Sequence, residues 1–155
     1  EVSSSCRALR VYAALMGYII SSRDAKSAYL QSFLQRPGSN VPKTSVVLPR
    51  AFWPKEWHGK YKNPVVRLIL SLYGHPYAGS YWESDCGDRI VKLGWERFLD
   101  DCPKISWHPK YAALLAVYVD DFKLAAKREH HDILCASCAE PSEARLAQRM
   151  KQLFP

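Results

Sequence analysis

No apolar run in the 155-residue chain approaches the roughly 20 residues that a membrane-spanning helix needs, so no membrane partner is expected. The N-terminal EVSSSCRALR lacks the charged, apolar and small-residue order of a secretory signal. Cysteine is scarce and odd in number: Cys6, Cys86, Cys102, Cys135 and Cys138 predict free thiols rather than a disulfide framework. These absences favour a soluble intracellular protein. No internal repeat or low-complexity tract interrupts the chain. Acidic residues are also scarce in the first 80 positions, where 3 Asp/Glu face 11 Lys/Arg, whereas residues 81–155 hold 12 against 11. The net charge of +7 therefore sits in the first half and suggests a polyanionic partner there.

With 48% hydrophobic residues, the chain has enough material for one domain with a core. Residues 3–16 open with serine N-cap candidates and carry Leu9, Tyr12, Ala13 and Met16 at helical spacing, and Gly17 ends that helix. YIISSRDAK reads as a strand running to Asp24, and SAYLQSFLQ as one or two helical turns. From Pro37 to Asn63 the proline, glycine and lysine density predicts loops around one short strand, SVVLP. PVVRLILSLYG reads as another strand. Residues 76–100 read as the longest helix, with Tyr81, Cys86, Ile90, Leu93 and Phe98 on one side. KISWH and AALLAVYV read as strands, and residues 128–154 as helical except around Pro141.

AVYVDDFKLAA, residues 116–126, places two adjacent aspartates in an apolar run. Burying like charges without a cation costs several kcal/mol, so a metal ion is the expected compensation. FKLAA follows at once, making Val119, Asp120 and Asp121 the tip of a β-hairpin. With Asp24 ending another strand, three carboxylates would make a hard oxygen site suited to Mg²⁺. Taken alone, an Asp-Asp pair is equally the mark of a solvated turn.

Three motifs in order, RDAKSAYLQ (Arg23 to Gln31), SLYGHPYAGSYW (Ser71 to Trp82) and YVDD (Tyr118 to Asp121), resemble the palm of reverse transcriptases of copia-type LTR retrotransposons. ALRVYAALMGYII looks like the lead-in to the first motif, and DDCPKISWH like the segment before the YVDD hairpin, so the likeness covers nearly the whole chain. The resemblance implies an α+β, polymerase palm-like fold, a small antiparallel sheet with helices packed on one face. It implies RNA-directed DNA polymerase activity, with Asp24, Asp120 and Asp121 catalytic. Two Mg²⁺ ions, with Mn²⁺ as a substitute, would be held by these three and the Ala25 carbonyl. Tyr29 would be the steric gate against a 2′-hydroxyl; Lys26 and Tyr77 would lie at the nucleotide; Tyr118 and Gly74 would lie at primer and template. A solvated lysine is the alternative at Lys26, and hairpin packing at Tyr118. The implied partners are an RNA template, a DNA primer, dNTPs and the rest of a Pol polyprotein. The implied location is a cytoplasmic retroelement particle, or the nucleus.

Several positions depart from the family pattern. Arg23 stands where an apolar residue is usual, and Tyr77, Gly79 and Ser80 replace glutamine, proline and arginine. By the same resemblance residues 1–155 are a partial domain, lacking most of the fingers, the thumb and RNase H. The alternative is a decayed element remnant that retains only nonspecific nucleic-acid binding. His131, Cys135 and Cys138 share a helical face at zinc-ligand types, although cysteines on such a face more often pack. Trp53, Trp57, Trp82, Trp95 and Trp107 are too scattered in sequence to define a base-stacking platform.

Overall fold

The computed structural model of the chain describes residues 4–34, 43–98 and 104–138. Chain contacts divide it into two units: Glu1–Ala28 with Trp82–Pro155, and Tyr29–Tyr81. The architecture is mixed α+β, with three α-helices and a five-stranded antiparallel sheet.

In the first unit, α1 (Ser4–Met16) is amphipathic because Leu9 and Ala13 recur one turn apart, and both are buried. Burying a side chain such as Leu9 contributes roughly 1.5–3 kcal/mol. Tyr12 packs beside them, while Met16, expected on the same stripe, is exposed. Gly17, at φ +64°, lets the chain leave the helix, and the Tyr18 N–H donates back to the Ala13 carbonyl. The chain then enters β1 (Ile19–Asp24), which pairs with β7 (Asp121–Ala126). β7 pairs with β6 (Ala113–Tyr118), β6 with β5 (Ile105–His108), and β5 with the short β4 (Glu96–Arg97). The sheet order is β1-β7-β6-β5-β4, leaving β1 at one edge.

Side chains alternate across this sheet, and both faces carry helices. α1 covers the face of Ile105, Leu114, Ala116 and Ala125, with Trp107 at its margin. On the other face α3 (Arg128–Cys138) meets the sheet where Cys135 Sγ lies 3.4 Å from Ser21 Oγ, since Ser21 stands opposite Leu124 rather than Ala125. The expectation of helices on one face is thus corrected. The alternating burial of β7 outside its last residues, and the continuous burial of Ala113–Ala116, reflect a sheet covered on both sides at its centre.

The expected long helix is shorter than its sequence pattern. α2 spans Ala78–Lys92 and stops at Gly94, φ +88°. Gly94 N–H bonds to the Val91 carbonyl and Trp95 N–H to the Ile90 carbonyl, a Schellman cap that satisfies the last turn. The buried stripe is Trp82, Cys86 and Ile90; Leu93 and Phe98, expected on it, are exposed because one caps the helix and the other follows β4.

The second unit holds the antiparallel pair β2 (Ser45–Val47) and β3 (Val65–Arg67), with Val46 opposite Val66. The predicted strand PVVRLILSLYG is a strand at Val65–Arg67 and irregular beyond it, apart from an isolated bridge between Leu70 and Phe33. Between β2 and β3 lie two 3-10 turns, Arg50–Phe52 and Lys55–Trp57, each preceded by a proline that fixes the entering backbone. SAYLQSFLQ forms only the 3-10 turn Ala28–Gln31. The expected helix beyond residue 138, and Cys102, lie outside the described residues.

Candidate functional site

β1 and β7 place Asp24 directly opposite Asp121, so both side chains stand on one face at the same end of the sheet. β6 adds Tyr118 opposite Asp121 from the other side. Val119 and Asp120 form the two-residue turn between them, so Asp121 is the first residue of the strand rather than part of the tip. Val119 adopts φ +56° and Asp120 does not share a positive φ, the sign pattern of a type II′ turn. Two bonds hold this turn. Trp82 Nε1–H donates to the Val119 carbonyl at 2.5 Å, and Ala25 N–H to the Asp120 carbonyl at 2.7 Å. The second ties the backbone after Asp24 to the backbone of Asp120, joining the three acidic positions through the main chain.

None of the three carboxylates is buried: Asp24 is exposed, and Asp120 and Asp121 are half-buried. The apolar run therefore does not carry its charges into the core, because the turn delivers them to the sheet end. Asp121 is nevertheless engaged. Ser22 Oγ donates to its Oδ1 at 3.2 Å, and the Lys123 ammonium pairs with its Oδ2. Ser22 and Lys123 stand opposite each other in the register, and both share the face of Asp24 and Asp121. Lys123 was identifiable in the sequence as the residue two positions after Asp121 on a strand, which returns to the same face. Arg23 points to the other face, opposite Phe122, and is exposed, so the alternation itself separates its side chain from that of Asp24.

Tyr118 is half-exposed, and the Lys104 ammonium lies 4.7 Å from its ring centroid. Sequence reading gives Lys104 no role; its approach follows from β5–β6 pairing, in which Val117 N–H donates to the Lys104 carbonyl. Lys26 is exposed two residues beyond Asp24.

The remaining predicted positions belong to the second unit. Tyr29 packs against Tyr73 at a centroid distance of 4.7 Å. A Cβ at Gly79 would lie 4.0 Å from the Tyr29 hydroxyl, ordinary contact. Gly74 adopts φ +88°, which explains a glycine there in backbone terms. Tyr77 is exposed, its N–H donating to His75 Nδ1 at 3.2 Å, while His75 Nε2 lies 2.9 Å from Thr44 Oγ1.

His131 and Cys135 are buried neighbours on α3, with Cys135 Sγ 3.9 Å from the ring nitrogens. The Cys138 side chain lies outside the described residues. Among the described residues, no group of three His, Cys, Asp or Glu side chains converges as a metal site, at the aspartates or on α3. The donor chemistry at the sheet end, carboxylates with the Ala25 carbonyl nearby in sequence, fits a hard divalent cation in type. Cys6, Cys86 and Cys135 are free thiols, in agreement with the sequence expectation.

No family model matches this chain, and no curated protein does either.

Proposed function

We propose that the chain is the palm of an RNA-directed DNA polymerase of the copia retrotransposon type, joining dNTPs to a primer 3′-hydroxyl on an RNA template. The observation that carries this reading is the cross-strand placement of Asp24 against Asp121, with Asp120 in the adjoining turn. A pair of Mg²⁺ or Mn²⁺ ions, when bound, would supply activation of the attacking hydroxyl and charge neutralisation on the leaving pyrophosphate. Asp24, Asp120 and Asp121 would hold them, and the Ala25 carbonyl would add a ligand. Trp82 and the Ala25 N–H hold the backbone of the turn in place, so convergence on a cation would fall to rotation of the carboxylate side chains. Lys123 neutralises Asp121 while the cation is away, and its ammonium is the group a metal must displace. Tyr29, Lys26 and Tyr77 are assigned to the nucleotide, and Tyr118 and Gly74 to primer and template, by the resemblance alone.

A second reading, a remnant that binds nucleic acid without catalysis, is favoured by one observation: Asp121 is already engaged by Lys123 and Ser22. The test is Mg²⁺-dependent extension of a primed RNA template by this chain beside its Asp120→Asn, Asp121→Asn double variant. Extension by the native chain and none by the variant supports a working palm. Equal behaviour of the two, with oligonucleotide binding retained, supports the second reading.

A further inference from the structure

We propose that residues 50–62 of the second unit form a stacking surface for single-stranded nucleic acid, apart from the carboxylate site. Between positions 29 and 81 the sole acidic residue is Glu56. The described cations of that unit are Lys43, Arg50, Lys55, Lys60, Lys62 and Arg67, so an anionic partner meets almost no opposing charge there. Within the same short segment lie four aromatic rings. Phe52 is 72% exposed and Tyr61 45%, while Trp53 and Trp57 are half-buried beneath the chain.

Three of these rings, Trp53, Trp57 and Tyr61, are held by their neighbours. Trp53 Nε1–H donates to the Leu48 carbonyl at 2.7 Å, and its ring packs 5.7 Å from His58. Trp57 meets Tyr61 edge-on at 5.7 Å, and the Tyr61 N–H returns to the Trp57 carbonyl. Pro49 and Pro54 precede the two 3-10 turns and restrict their backbones. Two cations already lie over rings: the Arg50 guanidinium 5.9 Å from Trp53, and the Lys60 ammonium 5.4 Å from Tyr61. Pre-set aromatic faces beside cations suit a strand whose bases are unstacked and whose phosphates track the positive surface. A duplex hides its base faces, so it can use only the charge. Exposure of Phe52 and Tyr61 in a segment that carries four cations (Arg50, Lys55, Lys60, Lys62) and one carboxylate (Glu56) argues for this polyanion.

This inference stands apart from the polymerase reading, because it uses none of the aspartates. It is tested by fluorescence anisotropy of a labelled oligouridylate of about 12 nucleotides, within the range of known single-strand site sizes, titrated with the full chain. Native protein should bind with an affinity that falls steeply with salt. Phe52→Ala, Tyr61→Ala should lose about tenfold or more, by the usual worth of a stacked base. Phe52→Trp should keep the affinity and add an indole whose emission is quenched on binding, a readout that survives if the double alanine variant misfolds. A duplex of equal length should bind more weakly at high salt. Unchanged affinity in the double alanine variant, no quenching in Phe52→Trp, or equal duplex binding overturns the proposal. So does binding to phosphatidylserine vesicles without binding to the oligonucleotide. The titration contains neither dNTP nor divalent cation, which separates failure here from failure of catalysis.

Discussion

Asp121 accepts from Ser22 across the strand pair and pairs with Lys123 along its own strand, so both carboxylate oxygens have partners before any cation arrives. Its side chain is 41% exposed and that of Lys123 23%, which leaves the pair partly screened. Pairs of this kind contribute about 0.2–1 kcal/mol. Replacing Lys123 by methionine keeps most of the apolar stem and removes the competitor for the carboxylate. Mn²⁺ affinity at the sheet end should rise by up to about fivefold, the equivalent of that pair energy. A titration of bound Mn²⁺ by electron paramagnetic resonance reads it, and weaker binding in Lys123→Met would mean that the lysine organises the site. Two residues earlier, Val119 carries a β-branched side chain at φ +56°, where an L-residue pays about 1–2 kcal/mol. It is 39% exposed, so little burial is lost on truncation. Val119→Gly relieves the backbone but adds freedom to the unfolded chain worth about 0.4–1 kcal/mol. The expected balance is a gain of about 0.5–1 kcal/mol in urea-induced unfolding. A lower midpoint would show that the valine side chain supplies contacts that outweigh its strain.

At the level of elements, the ends of helices decide where the sheet can begin. Gly94 closes α2 at φ +88°, and a Cβ there would sit 3.5 Å from His108 Nε2, ordinary contact rather than a clash. Gly94→Ala should therefore cost only its backbone, about 1–2 kcal/mol, read as a lower urea midpoint. A larger loss would place the cost in displacement of His108 instead. The same cap shows what the sequence could reveal. Gly17, following an unbroken apolar spacing, marked the end of α1 correctly, and the apolar arms LLAVY and FKLAA on either side of the acidic turn marked the hairpin. Gly94 carried an equal signal, but Leu93 and Phe98 continued an apparent helical stripe and concealed it. Three-residue strands such as Val65–Arg67 have too little periodicity to separate from the apolar residues after them. The second helical face of the sheet was illegible because α3 approaches through Ser21 and Cys135, small side chains that advertise no contact. Likewise Asp24 and Asp121 were legible as strand-end acids and Lys123 as the next same-face residue of its strand, whereas Ser22 acquires its meaning only once the register is fixed.

Across the whole molecule, stability is tied to pH through a buried histidine. His108 is buried, in edge contact with Trp95 at 5.0 Å and with Tyr111 at 4.7 Å, which in turn meets His130 at 5.0 Å. Burial holds its pKa below the usual 6.5, and the Lys110 charge acts in the same direction. The backbone carbonyls of Leu93 and His108 itself, and the Glu96 carboxylate, oppose these effects without cancelling them. The folded protein consequently prefers neutral His108, whereas the unfolded chain takes up the proton near 6.5. As pH falls through that value the unfolded state binds more protons, and stability declines until the depressed folded pKa is passed. Above 6.5 both states are neutral at this position and its contribution to the slope vanishes. Urea midpoints should thus be flat in this component above neutrality and fall as the pH drops below 6.5. His108→Phe keeps an aromatic ring against Trp95 and Tyr111 and should remove that part of the decline. If the acid slope is unchanged in His108→Phe, the proton uptake belongs to another group and the buried ring is tolerant of charge. A changed slope would show that the end of the sheet opposite the aspartates, where His108 pairs with Ala113, limits how far this fold can be acidified.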